Sequence, residues 1–256
     1  MSASILQRMA QAGWQFPEAL WAGLTDYERS FVAGEFTGLR TQDYYRARVR
    51  CLGLSGNVLD AACGMGQWAV ALAAEGCRVC GVDLDSRRLE LASALTEAHG
   101  ADCRFARARM EKLPFAAGHF DAVFCYGALM FAPVEAALAE FARVLRPGGQ
   151  LYVNANDWGW TLHLALDRGL FAGNLRVLRM ALRAAGRTLL RRPDNVVLGT
   201  ARLSRLLRKH GFEVVATGVE GGICLVRGQA LPAAAYPPSH WGLPGVIEAV
   251  ARRVGG

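Results

Sequence analysis

Two carboxylates and a pair of glycines are the residues of this chain whose spacing best fits chemistry. Asp60 opens the segment Asp60-Ala-Ala-Cys-Gly-Met-Gly66, and Asp83 follows Gly64 by nineteen residues. Glycines let a backbone approach a ligand closely, and a helix that begins beside them offers unpaired N–H donors. A carboxylate at the end of the next strand accepts hydrogen bonds from both hydroxyls of a ribose. The two features together describe a site for an adenosine-type cofactor. Gly64-Met-Gly-Gln-Trp-Ala69 also fits the glycine fingerprint of dinucleotide enzymes. Asp60 weighs against that reading, because a carboxylate there would repel a doubly anionic pyrophosphate and suits a ligand carrying an ammonium.

Such a turn needs a sheet to hold it. From about residue 51 onward, short apolar runs alternate with helical stretches, the pattern of a parallel sheet covered by helices. Strands are expected at 57–60, 78–83, 103–106, 120–125 and 151–154, with helices at 67–75, 86–99 and 134–145. Arg146-Pro-Gly-Gly149 stops the last of these helices. A helix is expected over 200–210, then two strands at 212–217 and 222–227. Only residues 218–221 separate that pair, so a hairpin is expected, with the last strand antiparallel. The expected fold class is α/β: a doubly wound, Rossmann-like, seven-stranded sheet, mostly parallel, with a helical lid insert and an N-terminal helical cap. The expected divisions are a cap at 1–50, a cofactor core at 51–155, and a basic lid at 156–199. A helix and hairpin at 200–228 complete the core, and a tail at 229–256 carries a short helix. Trp14, Phe16, Trp21, Tyr27, Phe31, Phe36, Tyr44 and Tyr45 read as the interior of the cap, and Arg40, Arg46 and Arg48 are candidates for a cofactor carboxylate.

Four segments in order carry a family resemblance. They are Val58-Leu-Asp-Ala-Ala-Cys-Gly-Met-Gly66, Gly81-Val-Asp83, Glu111-Lys-Leu-Pro-Phe115 with Phe120-Asp-Ala-Val123, and Arg143-Val-Leu-Arg-Pro-Gly-Gly149. Over residues 50–153 the chain resembles the class I S-adenosylmethionine-dependent methyltransferases, in their small-molecule, type 11-like branch. The resemblance implies S-adenosyl-L-methionine as cofactor. Asp60, Ala62 and the Gly64-Met65-Gly66 turn would hold its methionine portion, and Asp83 its ribose. Leu84 would lie against adenine, with Met110 and Glu111 bordering it, and Cys125 and Tyr126 would lie beside the sulfonium. Arg109 stands where the family often has Asp, so the adenine amino group would need another acceptor.

A hydroxyl acceptor arrives protonated and needs a base. The candidates at the expected mouth are Tyr126, Asp157 and His163, with His163 favoured because an imidazole titrates near neutral pH. Ordinary hydrogen bonding at the start of the insert is the competing reading of Asp157 and His163. Trp158 and Trp160, just beyond the fifth strand, read either as a pocket wall or as anchors for the insert. Within the insert, Arg176, Arg179, Arg183, Arg187 and Arg191 recur at three- and four-residue spacing and share a helical face, beside a stripe of Leu175, Leu178, Leu182 and Leu189. That face reads as a solvated surface, as a site for an anionic acceptor, or as a contact with an anionic membrane.

Composition narrows the classes. The net charge of +7 is local: from Arg168 to Lys209 there are eleven Lys or Arg and one acid, Asp194. Elsewhere acids exceed bases, which argues against a general nucleic-acid surface. Cys125-Tyr-Gly-Ala128 replaces the Pro-Pro-aromatic motif of enzymes acting on flipped bases, so no nucleic-acid partner is expected. Seven scattered cysteines form no disulfide framework, and Cys77-Arg-Val-Cys80 falls on a strand, where its thiols diverge. No metal is expected, and a cytoplasmic protein is the default. The expected activity is O-methylation of a polar or anionic small molecule such as a sugar. An NAD(P)-dependent oxidoreductase is the alternative on Gly64–Ala69, although no Tyr-x-x-x-Lys pair accompanies it, and a non-catalytic S-adenosylmethionine-binding protein is another.

Overall fold

The computed structural model describes residues 2–255; the side chains of residues 2–4 and of Tyr27 lie outside the described set. By packing, the chain divides into two compact units, Met1–Ala108 with Cys224–Ala235, and Arg109–Ile223 with Tyr236–Gly256.

In the first unit four helices, α1 (Ser2–Gln11), α2 (Glu18–Ala22), α3 (Asp26–Glu35) and α4 (Gln42–Leu52), precede the sheet. Thr25 and Glu28 close a capping box at the start of α3, and Gly53 ends α4 in a left-handed turn. Trp14 packs edge-on against Phe36 at 4.8 Å and Tyr45 at 5.4 Å, so these three form the interior expected of them, whereas Phe31, also expected inside, is 42% exposed on α3. Strands β1 (Asn57–Ala61), β2 (Arg78–Asp83) and β3 (Cys103–Arg107) run parallel in the order β3-β2-β1. They alternate with α5 (Gln67–Ala74) and α6 (Ser86–Ala98). Burial is continuous over Val58–Ala61, Asp60 included, so β1 is covered on both faces.

The second unit holds β4 (Phe120–Cys125), α7 (Val134–Val144), β5 (Leu145–Asn156), α8 (Trp158–His163), α9 (Leu175–Leu189), α10 (Thr200–Lys209) and β6 (Phe212–Val219). A two-stranded ribbon, β7 (Ser239–His240) with β8 (Leu243–Pro244), leads into β9 (Val246–Arg253). The sheet order here is β4-β5-β9-β6, with β4 and β5 parallel and β9 antiparallel to both β5 and β6. The seven-stranded sheet is thus mostly parallel with one antiparallel strand, the fold class expected.

The antiparallel strand is not the expected segment. Residues 222–227 form no strand; instead Leu225 donates its N–H to the Cys51 carbonyl at 2.7 Å, at the end of α4. The strand comes from 246–253, expected as tail and short helix. Val246 to Ala251 are six consecutive buried residues, so the alternation that marks a half-exposed strand is missing. Glu248 and the two alanines in that run, Ala249 and Ala251, also favour helix on propensity alone. Burial of Glu248 is made possible by two donors, the Tyr152 hydroxyl at 2.9 Å and the Ile223 N–H at 2.7 Å.

Candidate functional site

In the first unit β1 delivers Asp60 to a turn with a demanding backbone. Ala62, Gly64 and Gly66 all have positive φ, at 61°, 55° and 84°. For Ala62 that conformation costs about 1–2 kcal/mol. A Cβ on Gly66 would lie 3.0 Å from the Cα of Ala92, so glycine there lets the start of α5 pack against α6. At Gly81 on β2, a Cβ would lie 2.6 Å from the Phe105 ring and 2.9 Å from the Cys63 sulfur. Around Gly64, by contrast, a Cβ would meet nothing. The tip of the turn is therefore bare backbone.

Asp83, at the end of β2, ties this turn to the next. Its Oδ2 accepts the Gly64 N–H at 3.0 Å and its Oδ1 the Asp85 N–H at 3.0 Å. Asp60 is treated differently. It is 2% exposed, and its Oδ2 has no hydrogen-bond partner among the described residues. Burial, and then the Asp83 carboxylate, push its carboxyl up to about 8. A buried carboxyl oxygen left without a donor at the edge of a glycine turn fits the ammonium of an amino-acid end. Leu84, just after β2, is 51% exposed. Of the cap arginines, Arg40 pairs with Glu35 and Arg46 with Glu75, while Arg48 is fully buried on α4.

In the second unit Arg109, Met110 and Glu111 occupy a tight turn closed by a bridge between Arg109 and Lys112. Arg109 itself holds the Glu111 carboxylate. Cys125 is the buried last residue of β4, and the Tyr126 hydroxyl donates to Glu220 at 3.1 Å. The Gly127 N–H is taken by the Asn154 side chain. Glu220 and Asn154 were not singled out from sequence, since nothing local marks a residue whose partner lies on another strand.

Besides Tyr126, the other two candidate bases are also occupied. Asp157 caps α8 by accepting the Trp158 N–H at 2.6 Å, and it also takes the Thr200 N–H at the start of α10, while burial pushes its carboxyl up. His163 shares a hydrogen bond with Asp167 at 2.7 Å and stacks on His240 at 4.3 Å. The i,i+4 spacing of His163 and Asp167 is the signal that would have found this pair from sequence. Among the described residues His163, Asp167 and His240 are a cluster of metal-ligating types, with ligand atoms within 4.8 Å of one another. The His163–Asp167 hydrogen bond accounts for that closeness.

Trp160 resolves its two readings towards a wall. It lines a cavity of about 660 Å³ together with Met130, Leu164, Met180, Val196 and three arginines of α9. Gly159, next to it, fits only as glycine, because a Cβ would lie 2.2 Å from the Leu243 carbonyl oxygen. No helix among the described residues is long and apolar enough to cross a membrane, and all seven cysteines are free thiols.

Residues 58–149 match the family model described as a methyltransferase domain. A demethylmenaquinone methyltransferase of Thermus thermophilus is 43% identical over 99 residues, 38% of this chain and 45% of that protein. The chain spans less than half the length of the curated relatives it matches. Among solved structures, a Thermotoga maritima S-adenosylmethionine-dependent methyltransferase, possibly a histamine N-methyltransferase, superposes with a TM-score of 0.53 at 21% identity, over 89% of this chain and 94% of that one. The [4+2]-cyclase SpnF does so with a TM-score of 0.57 at 18% identity, over 84% and 81%.

Proposed function

We propose that this chain, whose residues 58–149 match a methyltransferase domain, is a class I S-adenosylmethionine-dependent methyltransferase that transfers the methyl group of its cofactor to a small-molecule acceptor. The observation that carries the reading is the Asp60 oxygen, buried without a donor beside a glycine turn. When bound, the cofactor supplies a methyl group already activated on a sulfonium. Asp60 would hold the ammonium, the Gly64-Met65-Gly66 backbone would lie along the methionine portion, and Asp83 would take the ribose hydroxyls. Asp83 is prepared for this, because its two backbone donors fix the carboxylate before any ligand arrives. Orientation of the two reactants is the main contribution asked of the protein, a term worth up to about 7–11 kcal/mol.

An oxygen nucleophile on an anionic acceptor is the finer reading. Three arginines of α9 around a cavity support the anionic part. His163 is the proposed base, since Asp167 orients its imidazole as a base requires. Asp157 is the weaker candidate, because its carboxylate serves two helix starts. A cofactor-binding protein of another activity is the second reading, favoured by the likeness to a cyclase.

Calorimetry of the purified chain with S-adenosylhomocysteine, S-adenosylmethionine and NADH tests the proposal. Micromolar binding of the first two, lost on Asp83→Ala, is expected. Binding of NADH alone would return Gly64–Ala69 to a dinucleotide role and end the reading. With an acceptor in hand, an unchanged turnover in His163→Ala would remove that residue as the base.

A further inference from the structure

The cavity beneath α9 has two kinds of wall. Met130, Phe131, Trp160, Leu164, Met180 and Val196 make most of it apolar. Arg176, Arg179 and Arg183 line it from α9, one or two turns apart. Among the described residues none of these three arginines pairs with a carboxylate. Arg187, one turn further on, is held by Asp194, the sole acid between residues 168 and 209. The insert thus neutralises one arginine of the row and leaves three like charges around an apolar space. At about 660 Å³ that space lies within the ordinary range for a small-molecule site, about 300–1,000 Å³.

Neither a sugar nor a neutral hydrocarbon satisfies both walls. Asn156, Thr161, Asn195 and the arginines offer partners to some sugar hydroxyls, but those set against Met130, Phe131 and Val196 would lose their water without gaining any. A neutral apolar ligand would make no use of three neighbouring guanidiniums, which would stay in water with their mutual repulsion unrelieved. An apolar body that ends in a carboxylate, sulfonate or phosphate satisfies both, because a guanidinium presents a planar fork to such groups. We infer that the acceptor held by the α9 cavity is an amphiphilic anion, its apolar body against Trp160 and Met180 and its charged end on Arg176, Arg179 and Arg183. This deepens the methyltransferase reading and rests on it only for the word acceptor; the ligand class stands on the cavity itself.

A pair of fluorescent probes tests the inference: 1-anilinonaphthalene-8-sulfonate, and N-phenyl-1-naphthylamine, which lacks the sulfonate. The sulfonate probe is expected to saturate at one site and to bind at least tenfold more weakly to the Arg179→Gln/Arg183→Gln double variant. The neutral probe is expected to change by less than twofold. Ala184→Trp, which fills the cavity, should displace both. These arginines are exposed and have no carboxylate partner among the described residues, so thermal melting of the double variant should match the parent; if it does not, Arg176→Gln alone carries the comparison. Equal binding of the two probes, or sulfonate binding untouched by the arginine and Ala184 variants, would overturn the inference. Calorimetry then separates the sources of the anion. Heat with decanoate supports a free amphiphile, heat with phosphatidylglycerol vesicles alone supports a lipid headgroup, and heat with neither overturns the assignment. S-adenosylhomocysteine binding is measured on the same variants. Its absence beside an intact probe pattern would sink the methyltransferase reading and leave the amphiphile site standing.

Discussion

The glycine turn of the first unit and the α9 cavity of the second hold charge in opposite ways. At the turn, Asp60 and Asp83 are buried, one fixed by two backbone donors and one without a partner on an oxygen. At the cavity, three arginines are exposed, and among the described residues no carboxylate pairs with them. The first arrangement is packed at its base: at Gly66 and Gly81 a methyl group would collide, while the tip at Gly64 is left as bare backbone. The second is open, built by side chains from helices and loops that meet only after folding. A cofactor common to many enzymes is matched by backbone, whereas a particular acceptor is matched by side chains that can be exchanged without loss of fold.

Substitution separates the two regions by size of effect. Gly66→Ala combines a left-handed backbone with a 3.0 Å approach to Ala92, and should cost about 3 kcal/mol. Melting followed by circular dichroism should show a fall of roughly 6–12 °C; an unchanged melting temperature would mean that the turn is less rigid than its packing implies. Asp83→Ala keeps the fold but removes both anchors of the turn. Its affinity for S-adenosylhomocysteine should drop roughly a hundredfold, the worth of two hydrogen bonds to a charged group.

Asp60 gives the comparison a pH signature. Its carboxyl sits at about 8 in the folded chain, against 3.8 for an ordinary aspartate. Between those values the folded chain keeps a proton that the unfolded chain has lost. The stability this contributes is whole below the lower value and fades as pH rises through the upper one. Melting temperature should therefore decline from pH 5 to 8 more steeply than in Asp60→Asn. Binding of S-adenosylhomocysteine at pH 6.5 should also release about one proton, read by calorimetry in buffers of different ionisation enthalpy. Equal proton release by Asp60→Asn would remove Asp60 from the ammonium site.

At the other end of the scale, Arg179→Gln with Arg183→Gln should shift stability by no more than about 0.5 kcal/mol. A larger loss would show that α9 depends on those charges, and the contrast between the regions would narrow.

The same contrast explains what could be read in advance. Asp60, Gly64, Gly66 and Asp83 lie within one strand-turn-helix-strand run, so their spacing already encodes their geometry. The arginine row of α9 was equally legible, because helical periodicity places Arg176, Arg179 and Arg183 together. The cavity was not, since Met130, Trp160 and Val196 come from three separate segments and no local pattern joins them. The antiparallel strand was assigned to the wrong residues. Ile223 and its neighbours look like a strand by composition, while Val246 to Ala251, buried throughout, lacks the alternation that betrays one.

That strand has a consequence for the order of assembly. β9 lies between β5 and β6, yet both are synthesised before it. On a translating ribosome, their facing edges stay open, with main-chain N–H and C=O groups exposed, until residues 246–253 emerge. Glu248 then acts as a proofreader of alignment. A slip of one residue would swing its carboxylate to the opposite face, away from the Tyr152 hydroxyl and the Ile223 N–H. Only the correct register buries that acid with its two donors, so the last strand to arrive is also the one that checks how the second unit has closed.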